Sequence, residues 1–382
     1  MFYELLHWRV NLFNYVTFRA FAAAGTAFVL SLMLGRRMIA WLRAMRVGQM
    51  ERDGREMAII GHGKKAGTPT MGGLLILFTT TVAALLWGDL GNAQLWLVVV
   101  TMLLMGGVGF LDDWLKLRRG KSDGLSEWQK LVLQGAIALG AFAVIWWIPE
   151  TREYATKLYL PFLKEPVIQN MTLVGGALFA WLVITATTNA VNLTDGLDGL
   201  AAGCASSVVA TYLVMAYVAG HAVLAGYLLV PAIPGSHELA VFCGGLLGGC
   251  LGFLWWNGYP AKVFMGDTGS LALGGAVAMT ALLIRQELTL LIAGAVFVAE
   301  AASVVIQRVA CKAYRWRTGQ GLEQGRRPFR MTPLHHHFEI ISKERARAEG
   351  RGEDSAENSV VVRFWIAGVV CALLGLATLK LR

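Results

Sequence analysis

Ten times along 382 residues the sequence runs apolar for about the length of a bilayer crossing. The runs fall at roughly 17–36, 71–88, 94–111, 131–148, 172–191, 199–219, 239–256, 266–284, 288–310 and 360–379. A helix rises ~1.5 Å per residue, so ~20 residues cross the hydrocarbon core. In lipid each unpaired backbone polar group costs several kcal/mol, and helices avoid that cost within a single segment. The expectation is an all-α integral membrane protein of about ten transmembrane helices, with residues 1–382 as one polytopic domain. The charge content agrees. Only 15% of residues are Asp, Glu, Lys or Arg, against about a quarter in a soluble domain.

The basic residues predict orientation. Loops at 36–70, 112–130, 257–262 and 312–359 hold 8, 5, 1 and 10 of them, whereas the tails and alternate loops together hold 8. The richer set is expected in the cytoplasm, which places both termini outside. The net charge of +9 is read as this asymmetry. No nucleic-acid motif accompanies it, and no nucleic-acid partner is expected. The five cysteines form no Cys-x-x-Cys pair and read as small buried hydrophobes. No removable signal peptide is expected. In the outer loops, 154–170 predicts a short hairpin and 222–233 a short helix at the outer surface. The charged stretch 342–358 predicts a mobile segment.

Polar residues at the ends of apolar runs then need a reason. Between the fifth and sixth runs lies Asn189-Ala-Val-Asn192-Leu-Thr-Asp195-Gly196-Leu-Asp198-Gly199. Asp195 or Asp198 has a structural alternative as N-cap of the sixth span, and their spacing would put both on one helical face. Asp112-Asp113 closes the third run, where acids oppose the helix dipole and repel each other. A metal or Lys116 would relieve both. Asp267, in Phe264-Met-Gly-Asp267-Thr-Gly-Ser270, agrees with the dipole at the start of the eighth run. Its small neighbours leave the carboxylate open, as suits a metal ligand. Asn257 and Lys262 lie on the same face. His335-His336-His337 has no companion Cys or His to complete a zinc set, so phosphate contact or proton handling is preferred. Lys64-Lys65-Ala-Gly-Thr-Pro-Thr70-Met-Gly-Gly73 is no Walker A loop, yet a lysine pair before such a turn can hold phosphate. Glu300 and Gln307 sit within or near the inner end of the ninth run, where polar groups are functional by default.

All these clusters share the cytoplasmic face. Oxygen donors favour Mg²⁺. Lysines and histidines around them suit phosphoryl chemistry, in which positioning and charge neutralisation do most of the catalysis. A membrane rim suits one water-soluble substrate and one lipid.

Four ordered motifs carry a resemblance. They are Asp112-Asp113-Trp-Leu-Lys116, Asn189 to Gly199, Phe264 to Ser270, and Pro333-Leu-His-His-His-Phe-Glu339. Together they resemble the polyprenyl-phosphate N-acetylhexosamine-1-phosphate transferases. Gly67-Thr-Pro-Thr-Met-Gly-Gly73 and the histidine motif resemble, within these, the phospho-N-acetylmuramoyl-pentapeptide transferase family. The resemblance covers nearly the whole chain. It implies transfer of phospho-N-acetylmuramoyl-pentapeptide from UDP-N-acetylmuramoyl-pentapeptide to undecaprenyl phosphate, with UMP released and lipid I formed. It also implies Mg²⁺, a homodimer and the bacterial inner membrane.

By motif match, the resemblance makes Asp112, Asp113, Asp267 and His335 catalytic. Asp112 would be the base on the lipid phosphate. Asp267 would bind the metal, with Asp112 and Asp113 as further candidates, or act as a nucleophile. Lys65, Thr70, Asn192, Asp195, Gly196, Asp198, Asn257, Phe264, Gln307 and His336 fall at substrate-binding positions. Lys116 and Lys130 would steady the lipid phosphate or diphosphate. The segment between Glu339 and Val360 is longer and more charged than the family pattern needs. Direct attack and a covalent aspartyl intermediate both remain open. So does a sister enzyme using UDP-N-acetylglucosamine. A transporter is the rival from another class, but it would place its acids near the midplane.

Overall fold

The computed structural model describes residues 1–6, 8, 10–45, 67–119, 124–319, 327–350 and 354–381. Helix dominates. An antiparallel bridge joins Leu158 to Ile168, at the position expected for the hairpin. The principal helices are α1 (Val16–Ala44), α2 (Gly73–Trp87), α3 (Ala93–Arg119), α4 (Glu127–Trp147), α5 (Thr172–Thr194), α6 (Leu200–Ala219), α7 (Glu238–Asn257), α8 (Gly266–Leu283), α9 (Ala295–Thr318), α10 (Leu334–Ala348) and α11 (Asp354–Ala377). A seven-residue helix at Ala222–Leu228 matches the short outer segment.

Each of the ten apolar runs lies on helix. Seven helices, α1, α3, α4, α5, α6, α7 and α11, are long and apolar enough to cross a membrane. The chain is therefore a multi-pass membrane protein. Helix α2 is apolar but has only 15 residues. The ninth run is not one helix. It breaks at Gly294 into a four-residue turn, Leu290–Ala293, and α9, which continues past 310 to Thr318.

Two further expectations need correction. Helix α3 does not stop at 111 but runs on to Arg119, so Asp112 and Asp113 lie inside it. Lys116, Arg118 and Arg119 occupy its last turn and meet the negative end of the dipole. The stretch 342–358 is largely helical, because α10 reaches Ala348 and α11 begins at Asp354. Lys343 pairs with Glu339 at 2.7 Å and Ala346 is buried, which ties the charged helix to the bundle.

Local chemistry sets several boundaries. At the start of α4, Ser126 Oγ accepts from Gln129 N while Gln129 Oε1 accepts from Ser126 N, a reciprocal capping box. The N-cap of α6 is Gly199 with φ +78, so neither Asp195 nor Asp198 caps that helix. The chain must reverse over 195–199, and the left-handed residue that lets it do so costs least as glycine.

Packing places α8 at the centre. Every residue from Thr268 to Leu283 is buried, against α3, α5 and α2. Helix α7 lies on α1 along a glycine seam. A Cβ on Gly244 or Gly248 would stand 2.3 Å from the Ala20 carbonyl oxygen or 2.0 Å from that of Ala24, so only glycine permits this approach. The outer helices turn apolar side chains outward, among them Leu178 and Leu182 on α5 and Ile366, Leu373 and Leu374 on α11.

Candidate active site

One end of the bundle gathers the ends of five helices. Asp112 and Asp113 come from α3, Lys130 from α4, Asn192 from α5, Asp267 from α8, and Thr70 from the approach to α2. Oxygens of Asp112, Asp113 and Asp267 all lie within 4.8 Å of one another. Gly109 makes this possible. It sits one turn before Asp113 on α3, and a Cβ there would stand 2.1 Å from the Asp267 carbonyl oxygen.

The three carboxylates have different surroundings. Asp113 is engaged with α8: its Oδ1 accepts from Asp267 N at 3.3 Å, and its Oδ2 accepts from Thr268 N at 3.0 Å and Thr268 Oγ1 at 2.7 Å. It caps the positive end of α8 from another helix, a placement the dipole favours. Asp112 Oδ1 accepts from Leu125 N at 2.7 Å. Its Oδ2 faces Lys116 Nζ at 2.5 Å and Lys130 Nζ at 3.0 Å. Asp267 Oδ1 accepts from Asn192 Nδ2 at 2.9 Å, and its Oδ2 meets Lys130 at 2.6 Å and Lys116 at 3.4 Å. Two lysines thus bridge the two carboxylates.

Beside them opens a cleft of about 470 Å³, walled by Asp112, Lys116, Arg119, Lys130 and residues 124–127 and 129. A triad of hard oxygen donors in one small volume fits a divalent cation. A cation would engage the carboxylate oxygens that face the lysines, and a phosphate would engage the lysines themselves. Such a site can hold an anionic substrate, neutralise developing charge and accept a proton.

The other sequence-predicted residues fall around this centre. Asn192 also donates to Ser270 Oγ at 2.8 Å. Thr70 Oγ1 is close to Gly266, whose Cβ position is 2.8 Å from it and 2.6 Å from Asp113 Oδ2. Phe264 joins the two strands of chain here, donating from its N to Pro69 O and accepting from Gly72 N, both at 2.8 Å. Asp195 follows α5 directly, and its N–H donates to Asn192 O. Asp198 and Asn257 bind loop to loop. Asp198 Oδ2 accepts from Ala261 N at 3.0 Å, while Asn257 accepts from Gly199 N and donates to Val263 O. Lys65 lies outside the described residues.

The histidine motif opens α10. Gln307 Oε1 accepts from Phe329 N at 3.0 Å and steadies the chain that leads there. His335 is buried, with Nδ1 3.1 Å from Glu300 Oε2, and His336 Nδ1 lies 2.9 Å from Glu339 Oε2. The His335 and His336 rings lie together, 4.2 Å between centroids, whereas His337 turns away and its Nδ1 accepts from Arg330 N. Burial alone would raise the Glu339 carboxyl, but His336 and Lys343 outweigh it and hold it at about 2. Gly196 packs on His335 and so links this motif to the Asn192 turn.

Sequence reasoning assigned no role to Thr268 or Leu125. The threonine stood within a quoted motif, next to Asp267. Nothing in the sequence signals that a backbone N–H thirteen residues on would reach Asp112.

Residues 95–285 match the model of glycosyl transferase family 4, and residues 65–77 match phospho-N-acetylmuramoyl-pentapeptide-transferase signature 1. Among similar proteins named phospho-N-acetylmuramoyl-pentapeptide-transferase, that of Methylacidiphilum infernorum is 45% identical over 377 residues, covering 98% of this chain and 96% of its own. That of Desulfotalea psychrophila is 45% identical and that of Desulfovibrio desulfuricans 43% identical, each covering both chains completely. With the signature over the Thr70 turn and 43–45% identity over nearly the whole chain, the chain belongs to the phospho-N-acetylmuramoyl-pentapeptide transferase family.

Proposed function

We propose that this chain transfers phospho-N-acetylmuramoyl-pentapeptide from UDP-N-acetylmuramoyl-pentapeptide to undecaprenyl phosphate, releasing UMP and forming lipid I. Family membership supports the reaction. The observation that carries the site is the bridge of Lys116 and Lys130 across Asp112 and Asp267 at the wall of an open cleft. Two cations at that wall suit the phosphate of the lipid acceptor. Asp112 lines the cleft with them and is the base for that phosphate. Asp113, held by Thr268, positions α8 and hence Asp267.

Asp267, with Asp112, is the pair to hold Mg²⁺, whose charge would offset that of the diphosphate. Asn192 keeps the Asp267 carboxylate turned toward the lysines. Asp198 and Asn257 set the two loops that shape the nucleotide side, with Asp195, Gly196, Thr70, Phe264, Lys65 and Gln307 around it, and His335 and His336 close the far wall. Direct attack of the lipid phosphate on the β-phosphate requires no covalent step and fits a carboxylate already engaged by two lysines.

The wider arrangement belongs to the same reading. Ten spans, with both termini in the periplasm of the inner membrane, put the cleft at the cytoplasmic face. Exposed Trp128, Trp255 and Trp316 at the cleft end, and Trp147 and Tyr227 at the other, fit two interfacial belts. One domain and a homodimer complete it.

Release of UMP by purified protein tests the reaction. We expect release only with both substrates and Mg²⁺. Release with UDP-N-acetylglucosamine instead would make this the sister enzyme. No release from either donor by folded protein would discard the transferase reading.

A further inference from the structure

Glu300 lies on α9 with no exposed surface. A fully buried carboxylate demands partners, and its side-chain partners come from the first turn of α10. The His335 backbone N–H donates to Oε1 at 3.1 Å and to Oε2 at 3.3 Å, and the His335 ring Nδ1 stands 3.1 Å from Oε2. His335 is the second residue of α10, so its N–H is one of the helix's four free donors. The same two oxygens therefore cap one helix from another and grip the imidazole.

A carboxylate accepts, so the nitrogen facing it carries the proton. The tautomer and the ring plane are then both set by Glu300. The opposite nitrogen, Nε2, is buried and has no hydrogen-bond partner among the described residues. It points at the turn after Asp195. A Cβ on Gly196 would stand 2.2 Å from Nε2 and 2.8 Å from Cε1. A buried imidazole nitrogen left unpaired is costly, and here it faces the Gly196 turn, which the proposed function places beside the nucleotide.

We infer that Glu300 is a positioning residue of the reaction: it fixes the protonated nitrogen and the aim of His335, so that Nε2 is presented at the Gly196 turn to a polar group of the nucleotide donor. This rests on the proposed function. Glu300 itself touches neither substrate nor metal. Its contribution passes through His335.

The test uses full-length protein in detergent with ¹⁵N-labelled histidine, His335 being identified by the resonance lost in His335→Gln. In the wild type, His335 Nδ1 gives the protonated signature and Nε2 moves when UMP is added. Glu300→Gln keeps an acceptor for the backbone N–H but also offers a donor to the ring. It should mix the tautomers and lower kcat by about 10- to 100-fold, the range seen when the partner that orients a metal-bound histidine is lost. KM for the donor should change less than kcat. Glu300→Asp, which keeps the carboxylate, should recover part of the rate. A wild-type nitrogen signature in Glu300→Gln, with full kcat in the folded fraction, would overturn the inference. An Nε2 signal unmoved by UMP would overturn it as well. Should wild-type protein release no UMP from either donor, the proposed function fails, while the nitrogen signatures still decide whether Glu300 orients His335.

Discussion

The two ends of this bundle hold charge in opposite ways. Far from the cleft, Arg19 of α1 meets Glu238 of α7 in a two-pronged pair at 2.7 and 2.6 Å, with both side chains buried. Both Glu238 oxygens are filled, since Oε2 also accepts from Asp89 N at 2.9 Å. At the opposite end of α3, Asp112 and Asp267 face two lysines that remain partly exposed. A guanidinium fork fixes geometry, whereas an ammonium on a flexible stem is a point charge that can be exchanged. The first end locks helices. The second keeps charge ready for a phosphate or a cation.

The largest effects should separate these roles. Asp267→Asn and Asp112→Asn are each expected to lower kcat by ~10³-fold while Tm stays near wild type. Near-normal turnover in Asp267→Asn would remove it from the chemistry. Glu238→Ala should do the reverse. It strands a buried guanidinium at a cost of ~3–5 kcal/mol, so Tm falls while the folded fraction keeps its kcat. Replacing the pair together, Arg19→Met with Glu238→Leu, should restore much of that stability. If the double variant instead lost activity at full stability, the two ends would not be independent.

Asp113 sharpens the contrast, because it sits at the reactive end but is tied like the closed pair. Asp113→Asn turns an amide toward the α8 donors and should cost about 1–3 kcal/mol. A fall in Tm accompanying the rate loss would confirm its capping role. An unchanged Tm would return it to the chemistry. The smallest effect concerns Glu339. Its carboxyl is held at about 2, below its ordinary value of ~4.3. The stabilisation it gives is present above that ordinary value and is lost as pH falls toward 2. The Tm difference between wild type and Glu339→Gln should therefore shrink as pH falls below ~4.

Much of the site was legible. Asp112, Asp113 and Asp267 stood out because acids are rare in this chain and these interrupt apolar runs. Asp112 and Asp113 do not end their helix, since α3 extends to Arg119. Hydropathy drops at the first charge, but a helix does not. The N-cap of α6, which Asp195 or Asp198 was able to supply by residue type, is Gly199. Side-chain preference for a cap is a local rule, while the direction of the turn was set by packing of α6 on α7 and α11.

By itself the sequence determined the helical architecture, the apolar runs and the end where polar residues collect. Those follow from the cost of exposing backbone and charge to lipid, which acts on each segment separately. Only the tertiary structure decided which oxygen faces which lysine, that Asp113 caps α8, that Glu300 grips His335, and that the ninth run breaks at Gly294. These depend on contacts between residues up to 155 positions apart, and no local pattern encodes the distance at which two helices meet.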